Sequence, residues 1–155
     1  MKAIEVYAGS DGELTKRYYD ELQQHGPIGE IAVNLFRAHK YSARAKVYRG
    51  GVRGKGSYKS MAYDRKNWSI GLLCKSLQEH GEVLGISFGW KKDPQQEYHS
   101  WVMYVDLPGG QVSFHSAHRL DGPDYSGEWC GDHRSAERII EFCDRVHSGG
   151  VCVSR

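Results

Sequence analysis

The amino-acid sequence predicts one α+β domain, with an N-terminal strand and helices, an antiparallel β-meander in the second half, and a C-terminal helix. Apolar residues recur at helical spacing in much of the first half and near the C-terminus, whereas alternation and a Pro-Gly-Gly turn mark residues 83–117. The chain has 155 residues, of which 39% are apolar and 26% charged, so it can bury a core. We therefore expect residues 1–155 to form a single globular domain.

The N-terminal residues are predicted to form a strand, because apolar side chains alternate over residues 4–8. Glu5 puts a charge inside this short stretch and no cleavage pattern follows, which argues against a signal peptide. No run approaches the roughly 18 apolar residues of a membrane-spanning helix, so no membrane contact is expected. The four scattered cysteines favour free thiols and a cytoplasmic location over a disulfide scaffold.

Two helices are predicted next. Ser10 and Glu13 have the spacing of a capping box that begins the first helix, and Gly26 is expected to end it. Pro27 suits the first turn of the second helix. Apolar residues on one face of this second helix form its predicted core side: Ile28, Ile31, Ala32, Leu35 and Phe36.

The pattern changes after Tyr41. Residues 43–48 alternate between apolar and mostly cationic side chains, which predicts a strand with one face of each kind. A continued helix is the alternative, since Ala, Arg and Lys all favour helices. Residues 49–60 contain four glycines among Arg and Lys, which is typical of a loop.

The remaining elements alternate strands with turns and end in a helix. Asn67 or Ser69 is expected to cap a third helix that ends at Gly81, and Ser135 is expected to cap the last helix. The tail at 148–155 is glycine-rich and is expected to fray. The predicted strands and loop between the two helices are 83–90, 98–107, 111–117 and the irregular loop 122–131.

Charge is divided sharply along the chain. Residues 37–66 hold ten cations and one acid, Asp64, and so carry +9, whereas the whole chain carries +2. Tyrosines are interleaved with these cations, and together they predict a nucleic-acid contact in which cations bind phosphates and aromatic rings stack on unpaired bases. RNA or single strands are favoured because no recognition-helix pattern is visible. The alternative is a solvated cationic face that pairs with the acidic remainder of the chain.

The predicted nucleic-acid-binding residues all lie within this basic segment. They are Arg44, Lys46, Tyr48, Arg49, Arg53, Lys55, Tyr58, Lys59, Tyr63, Arg65 and Lys66.

Histidines in the predicted hairpin suggest a second function. If the turn is centred on Gly109, Tyr104 lies opposite Phe114, and His99 and His115 then share one face with Met103. Histidine can transfer protons near neutral pH and a cation can stabilise a charged phosphate, as a metal-independent ribonuclease requires. The alternative is that these histidines are hydrogen-bonded structural residues. The candidate catalytic residues are His99, His115, His118 and Arg119.

Metal and cofactor sites have weaker support. Cys130 and His133, followed by Cys143 and His147, are spaced as two potential pairs of zinc ligands, but Cys143 also falls on the apolar stripe of the last helix. We therefore predict no metal. No cofactor is expected either, because Arg49 stands where a phosphate-binding loop requires glycine.

A protein-binding or inhibitory module is the third functional hypothesis. Residues 121–132 are acidic and include Tyr125 and Trp129, side chains of the kind that anchor protein interfaces.

Overall fold

The computed structural model describes residues 2–51, 57–92, 101–116 and 129–150, with side chains in these ranges except at 42–51, 57–69 and 116. Helices come first, an antiparallel sheet follows, and a helix ends the described chain, so the predicted α+β class is confirmed. The helices are α1 (Ala3–Ala8), α2 (Gly12–Gln23), α3 (Pro27–Gly51), α4 (Ser57–Leu84) and α5 (Ala136–His147). The strands are β1 (Ser87–Lys92), β2 (Trp101–Leu107), β3 (Gly110–Ser116) and β4 (Trp129–Gly131).

The N-terminal residues form helix α1, so the predicted strand is wrong. Ala3 and Val6 are buried, whereas Ile4 is 51% exposed, which is helical rather than alternating burial. The Ala3 N–H donates to Asp144 Oδ1 of α5 at 2.7 Å. This tertiary bond satisfies a donor at the start of α1, which local alternation does not reveal.

Helix α2 begins and ends close to the predicted positions. Its N-cap is Asp11 rather than Ser10: the carboxylate accepts hydrogen bonds from the N–H groups of Glu13 and Leu14. Gly26 follows the helix in the left-handed region, with φ of 74°, and so confirms the predicted stop. Tyr18 and Leu22 of α2 are buried, whereas Leu14 is only partly buried. On the predicted core side of the second helix, Ile28 is likewise only partly buried, and the other four residues are buried.

Helices α3 and α4 form a long antiparallel hairpin. Glu30 of α3 lies beside His80 of α4, and Asn34 of α3 contacts Ser76 of α4. The second contact is four residues later on α3 but four residues earlier on α4, so the two helices run antiparallel. The predicted strand at 43–48 is wrong and the helical alternative is right, because α3 runs without a break to Gly51. Most of the predicted loop at 49–60 belongs to the two helices, and residues 52–56 of it lie outside the described residues.

The sheet has the strand order β1-β2-β3-β4, with every pair antiparallel. Leu107 pairs with Gly110, so the turn has two residues, and Met103 rather than Tyr104 lies opposite Phe114. The predicted register is therefore wrong by one residue, which moves His115 to the face opposite Met103. Met103 and Phe114 face the helices and are fully buried. The first predicted strand also lies too early, since α4 extends through Leu84.

The C-terminal part closes the core. Part of the predicted loop at 122–131 forms β4, while 122–128 lie outside the described residues. Helix α5 is confirmed, and its apolar face, including Phe142 and Cys143, is buried against α3. Ser135 stands at the N-cap, but its Oγ accepts a hydrogen bond from the N–H of Ser113 at 3.0 Å instead of capping the helix. Of the predicted tail, residues 151–155 lie outside the described residues.

Candidate functional site

The basic segment occupies one end of the α3–α4 hairpin. We define the distal half of the hairpin as residues 42–51 of α3 and 57–69 of α4. The contacts of Glu30 with His80 and of Asn34 with Ser76 show that α3 and α4 run antiparallel, so these two stretches lie at the same end of the hairpin. The distal half carries Arg44, Lys46, Tyr48, Arg49, Tyr58, Lys59, Tyr63, Arg65 and Lys66, while Arg53 and Lys55 lie outside the described residues.

The root of the hairpin is anchored by close packing and by a buried polar contact. Asn34 is 7% exposed, and its Nδ2 donates to Ser76 Oγ at 3.3 Å and to the Leu72 carbonyl oxygen at 3.4 Å. Leu35 and Leu73 are fully buried on the same two helices. Since α3 has 25 residues, it is about 37 Å long at 1.5 Å per residue. The cationic distal half thus extends from a root that is packed into the core.

His39 connects the hairpin root to both ends of the described chain. Its Nε2 lies 2.7 Å from the Asp132 carbonyl oxygen and its Nδ1 lies 2.7 Å from the Tyr7 hydroxyl. A carbonyl oxygen only accepts, so Nε2 carries a proton, and in the neutral ring Nδ1 accepts from Tyr7. Burial raises the pKa of Tyr7, which keeps its hydroxyl protonated as that donor. His39 is thus a structural residue of the core.

His115 is paired with a carboxylate on the face of the sheet that points away from the helices. Its Nε2 lies 3.6 Å from Asp132 Oδ2, and its side chain is 32% exposed. Arg134 donates to both oxygens of Asp132, at 3.2 and 2.8 Å. These hydrogen bonds hold the pKa of Asp132 well below its ordinary range, and the positive charge of a protonated His115 acts in the same direction.

The sheet register places His115 in a row that crosses all four strands. Lys91, Val102, His115 and Cys130 are successive partners from β1 to β4 and so share one face. A histidine beside an ionised carboxylate can move a proton, and a lysine on the same face can meet an anion. The other candidate catalytic residues, His99, His118 and Arg119, lie outside the described residues.

The four potential zinc ligands are not brought together. Cys143 is buried and its Sγ contacts the Ala32 carbonyl oxygen at 3.5 Å, while His147 lies 2.7 Å from Glu21 and stacks on Tyr18. His133 is 87% exposed. Within the described ranges, the one group of three potential ligands within 4.8 Å of each other is Glu30, Glu79 and His80, which includes none of the four.

The predicted protein-binding segment is only partly described. Trp129, proposed as an anchor, is fully buried in the core, and Cys130 is 2% exposed. Burial removes Trp129 from any interaction patch, because a core side chain cannot contact a partner. Residues 121–128, with Tyr125, lie outside the described residues, so a partner bound through that part stays a prediction.

Asp132 is the residue of the His115 site that the sequence interpretation missed. It contacts His115 and Arg134, and its Oδ2 accepts from the Ser113 hydroxyl at 3.4 Å. Its position in the sequence, three residues before Ser135, could have indicated a capping role, because aspartate commonly caps helical turns. In the structure its carboxylate caps the short 3₁₀ turn that leads into α5.

Comparisons with known proteins assign no function to the chain. No family model, no curated protein and no solved structure matches the chain. In the described part of the chain, every helix is too short or too polar to cross a lipid bilayer.

Proposed function

We propose that the protein binds nucleic acid through the distal half of the α3–α4 hairpin. The observation that carries the proposal is that nine of the eleven predicted contact residues lie on two adjacent antiparallel helices, at the same end. Two stretches that are separated in sequence by residues 52–56 thus lie at the same end of the hairpin. Their cations replace the counterions of phosphates, and their tyrosines provide rings for bases.

RNA or single-stranded nucleic acid is the favoured ligand. Three tyrosines accompany the cations, and stacking on unpaired bases contributes about 1–3 kcal/mol per base. Eight of the predicted contact residues are Lys or Arg. If about half of them contact phosphates, log K should fall against log salt with a slope of about −3 for single strands. The proposal also puts the protein in the cytoplasm, in line with the free thiols of Cys74, Cys130 and Cys143.

The test compares two triple variants with the same net charge. One replaces Lys46, Arg49 and Lys59 of the distal half with glutamine. The matched control replaces three exposed cations elsewhere, Lys2, Arg17 and Lys75, with glutamine.

Fluorescence anisotropy with labelled RNA, single-stranded DNA and duplex DNA, each over a salt series, measures affinity and slope. We expect the distal variant to weaken binding at least tenfold and to flatten the salt slope, whereas the control stays within about twofold. Equal losses in both variants would show that only net charge matters and would refute the hairpin interface.

A ribonuclease-type activity is the second candidate function, and the His115–Asp132 pair favours it. His115, beside Asp132, could accept the proton of an RNA 2′-hydroxyl as the 2′-oxygen bonds to the adjacent phosphorus. The bond from phosphorus to the 5′-oxygen then breaks, the 5′-oxygen takes a proton from water, and a cation such as Lys91 meets the phosphate. His115→Ala should then abolish RNA cleavage on a denaturing gel and leave the anisotropy isotherm unchanged. Intact RNA after prolonged incubation with the unaltered protein would eliminate this candidate, and the binding proposal would stand.

A further inference from the structure

A cationic cavity lies where α2 packs against the middle of α3. Its volume is about 410 Å³, within the range of small-molecule sites. The described residues that line it include three cations, Lys16, Arg37 and Lys40, two aromatic rings, Tyr19 and Tyr41, and no acidic residue.

Two of these cations are held in place by the fold. Lys40 is 3% exposed, and its Nζ donates to the carbonyl oxygens of Val6 at 2.7 Å and Gly9 at 3.0 Å, at the end of α1. The guanidinium of Arg37 lies over the ring of Tyr19, with 5.8 Å from Cζ to the ring centre. Both cations and Tyr41 also make further interactions.

Lys16 forms the exposed rim of the cavity. Its side chain is 80% exposed and contacts Asp20 at 3.3 Å, a surface pair that water weakens. The N–H groups of Glu13 and Leu14, at the start of α2, are already bonded to Asp11. An anion in this cavity would therefore be bound by side chains and not by the end of a helix.

The electrostatics of the cavity favour a ligand with more than one negative charge. Lys40 and Arg37 bring two positive charges to the wall of this cavity, and Lys16 adds a third at its rim. A phosphate monoester carries a charge of about −1.5 to −2 at neutral pH and has three acceptor oxygens, which matches several cations around one small space. The ring of Tyr41 also lines the cavity and adds an aromatic surface for a base.

We propose that this cavity binds a phosphate monoester carried by a nucleotide or by the end of a nucleic-acid strand. Tyr41 lines the cavity and immediately precedes the distal half of the hairpin. A strand that follows the distal half could therefore place its terminal phosphate here. The strand form of this proposal rests on the proposed function, whereas binding of a free nucleotide does not.

The experiment uses the whole protein and two sets of probes. Oligonucleotides with a 5′-phosphate, a 3′-phosphate or hydroxyl ends, labelled internally, are compared by fluorescence anisotropy. AMP and adenosine are compared by titration calorimetry. We expect one of the two phosphorylated strands to bind about tenfold tighter than the strand with hydroxyl ends. A gain of this size is what one or two charge-assisted hydrogen bonds to the phosphate would contribute. AMP should release or take up measurable heat, and adenosine should not.

Three single variants locate the effect. Arg37→Gln and Lys16→Gln should remove the gain from the phosphate, and Lys16→Gln serves if Arg37→Gln does not fold. Arg17→Gln is the matched control. Arg17 follows Lys16 on α2, is 67% exposed, and pairs with Glu21 as Lys16 pairs with Asp20. It does not line the cavity. It should keep the full gain.

The outcomes separate the two proposals. Strands that bind equally well with or without a terminal phosphate, together with no AMP binding, overturn the cavity site and leave the hairpin interface intact. AMP binding that depends on Lys16, without any strand binding, supports the cavity for a free nucleotide and refutes the nucleic-acid function. Equal loss in the Arg17 and Lys16 variants would overturn the cavity site as well.

Discussion

The backbone of Gly131 lies so close to the ring of His39 that any side chain at this position should clash with the ring. A Cβ at this position would lie 2.7 Å from His39 Cδ2 and 3.1 Å from its Nε2. The ring cannot turn away without losing its bonds to the Tyr7 hydroxyl and the Asp132 carbonyl oxygen. Gly131→Ala therefore forces either a shift of β4 or the loss of one of these bonds.

The expected cost follows from these two effects. Overpacking a closed site costs about 1–3 kcal/mol, and the loss of one hydrogen bond costs about 1 kcal/mol. We expect Gly131→Ala to lower the free energy of unfolding by about 2–4 kcal/mol. For a chain of this size, Tm should fall by about 5–15 °C.

Urea denaturation followed by circular dichroism measures this loss in a double-mutant cycle with His39→Ala. Without the imidazole, the added methyl group has room, so Gly131→Ala should cost less than about 1 kcal/mol in the His39→Ala background. Gly71→Ala is the control, because its Cβ would meet no described atom within 4 Å beyond its own helix, and it should gain up to about 1 kcal/mol. An additive cycle, or an unchanged midpoint for Gly131→Ala, would refute the proposed clash.

Three further predictions concern ionisation, thiol reactivity and the hairpin root. Arg134 lowers the pKa of Asp132, so the ionised carboxylate should stabilise the fold fully above about pH 4 and lose this effect as the pH falls toward the lowered pKa; the urea midpoints of the unaltered protein and Asp132→Asn should therefore approach each other progressively below about pH 4. Burial raises the pKa of Cys74 to about 12 and raises that of Cys143 also, so neither thiol should react with Ellman's reagent before unfolding; rapid labelling of either in the native protein would contradict their burial. Asn34→Ala should cost about 1–2 kcal/mol, because it removes two hydrogen bonds between α3 and α4; an unchanged midpoint in urea would show that apolar packing alone holds the hairpin root.

Helices could be predicted from the sequence wherever apolar residues kept helical spacing over enough residues to exclude a strand. Ile31, Ala32, Leu35 and Phe36 were placed on the core side of the second helix from spacing alone, and all four are buried. The basic segment could likewise be found from composition, since charge needs no knowledge of the fold. What composition cannot supply is whether cations distant along the chain share one surface.

Short or ambiguous patterns failed because two periods fit the same few residues. Residues 43–48 alternate like a strand, but they are also good helix formers, and a helix that is already propagating adds one hydrogen bond for each residue fixed. Residues 4–8 alternate as well, yet the contact of Ala3 with Asp144 shows that docking on α5 favours the helix.

The sequence by itself determined the α+β class, with the β-meander in the second half and a helix after it, the core side of the second helix, and the concentration of positive charge in residues 37–66. The tertiary structure alone decided which side chains meet. A turn of two residues rather than three reversed the face of His115 and brought it to Asp132, since each strand position alternates sides. Likewise, Arg37, Lys40 and Tyr41 have the spacing of one helical face. Only the packing of α2 and the end of α1 against that face forms a cavity around them, because a cavity requires walls from elements that are distant along the chain.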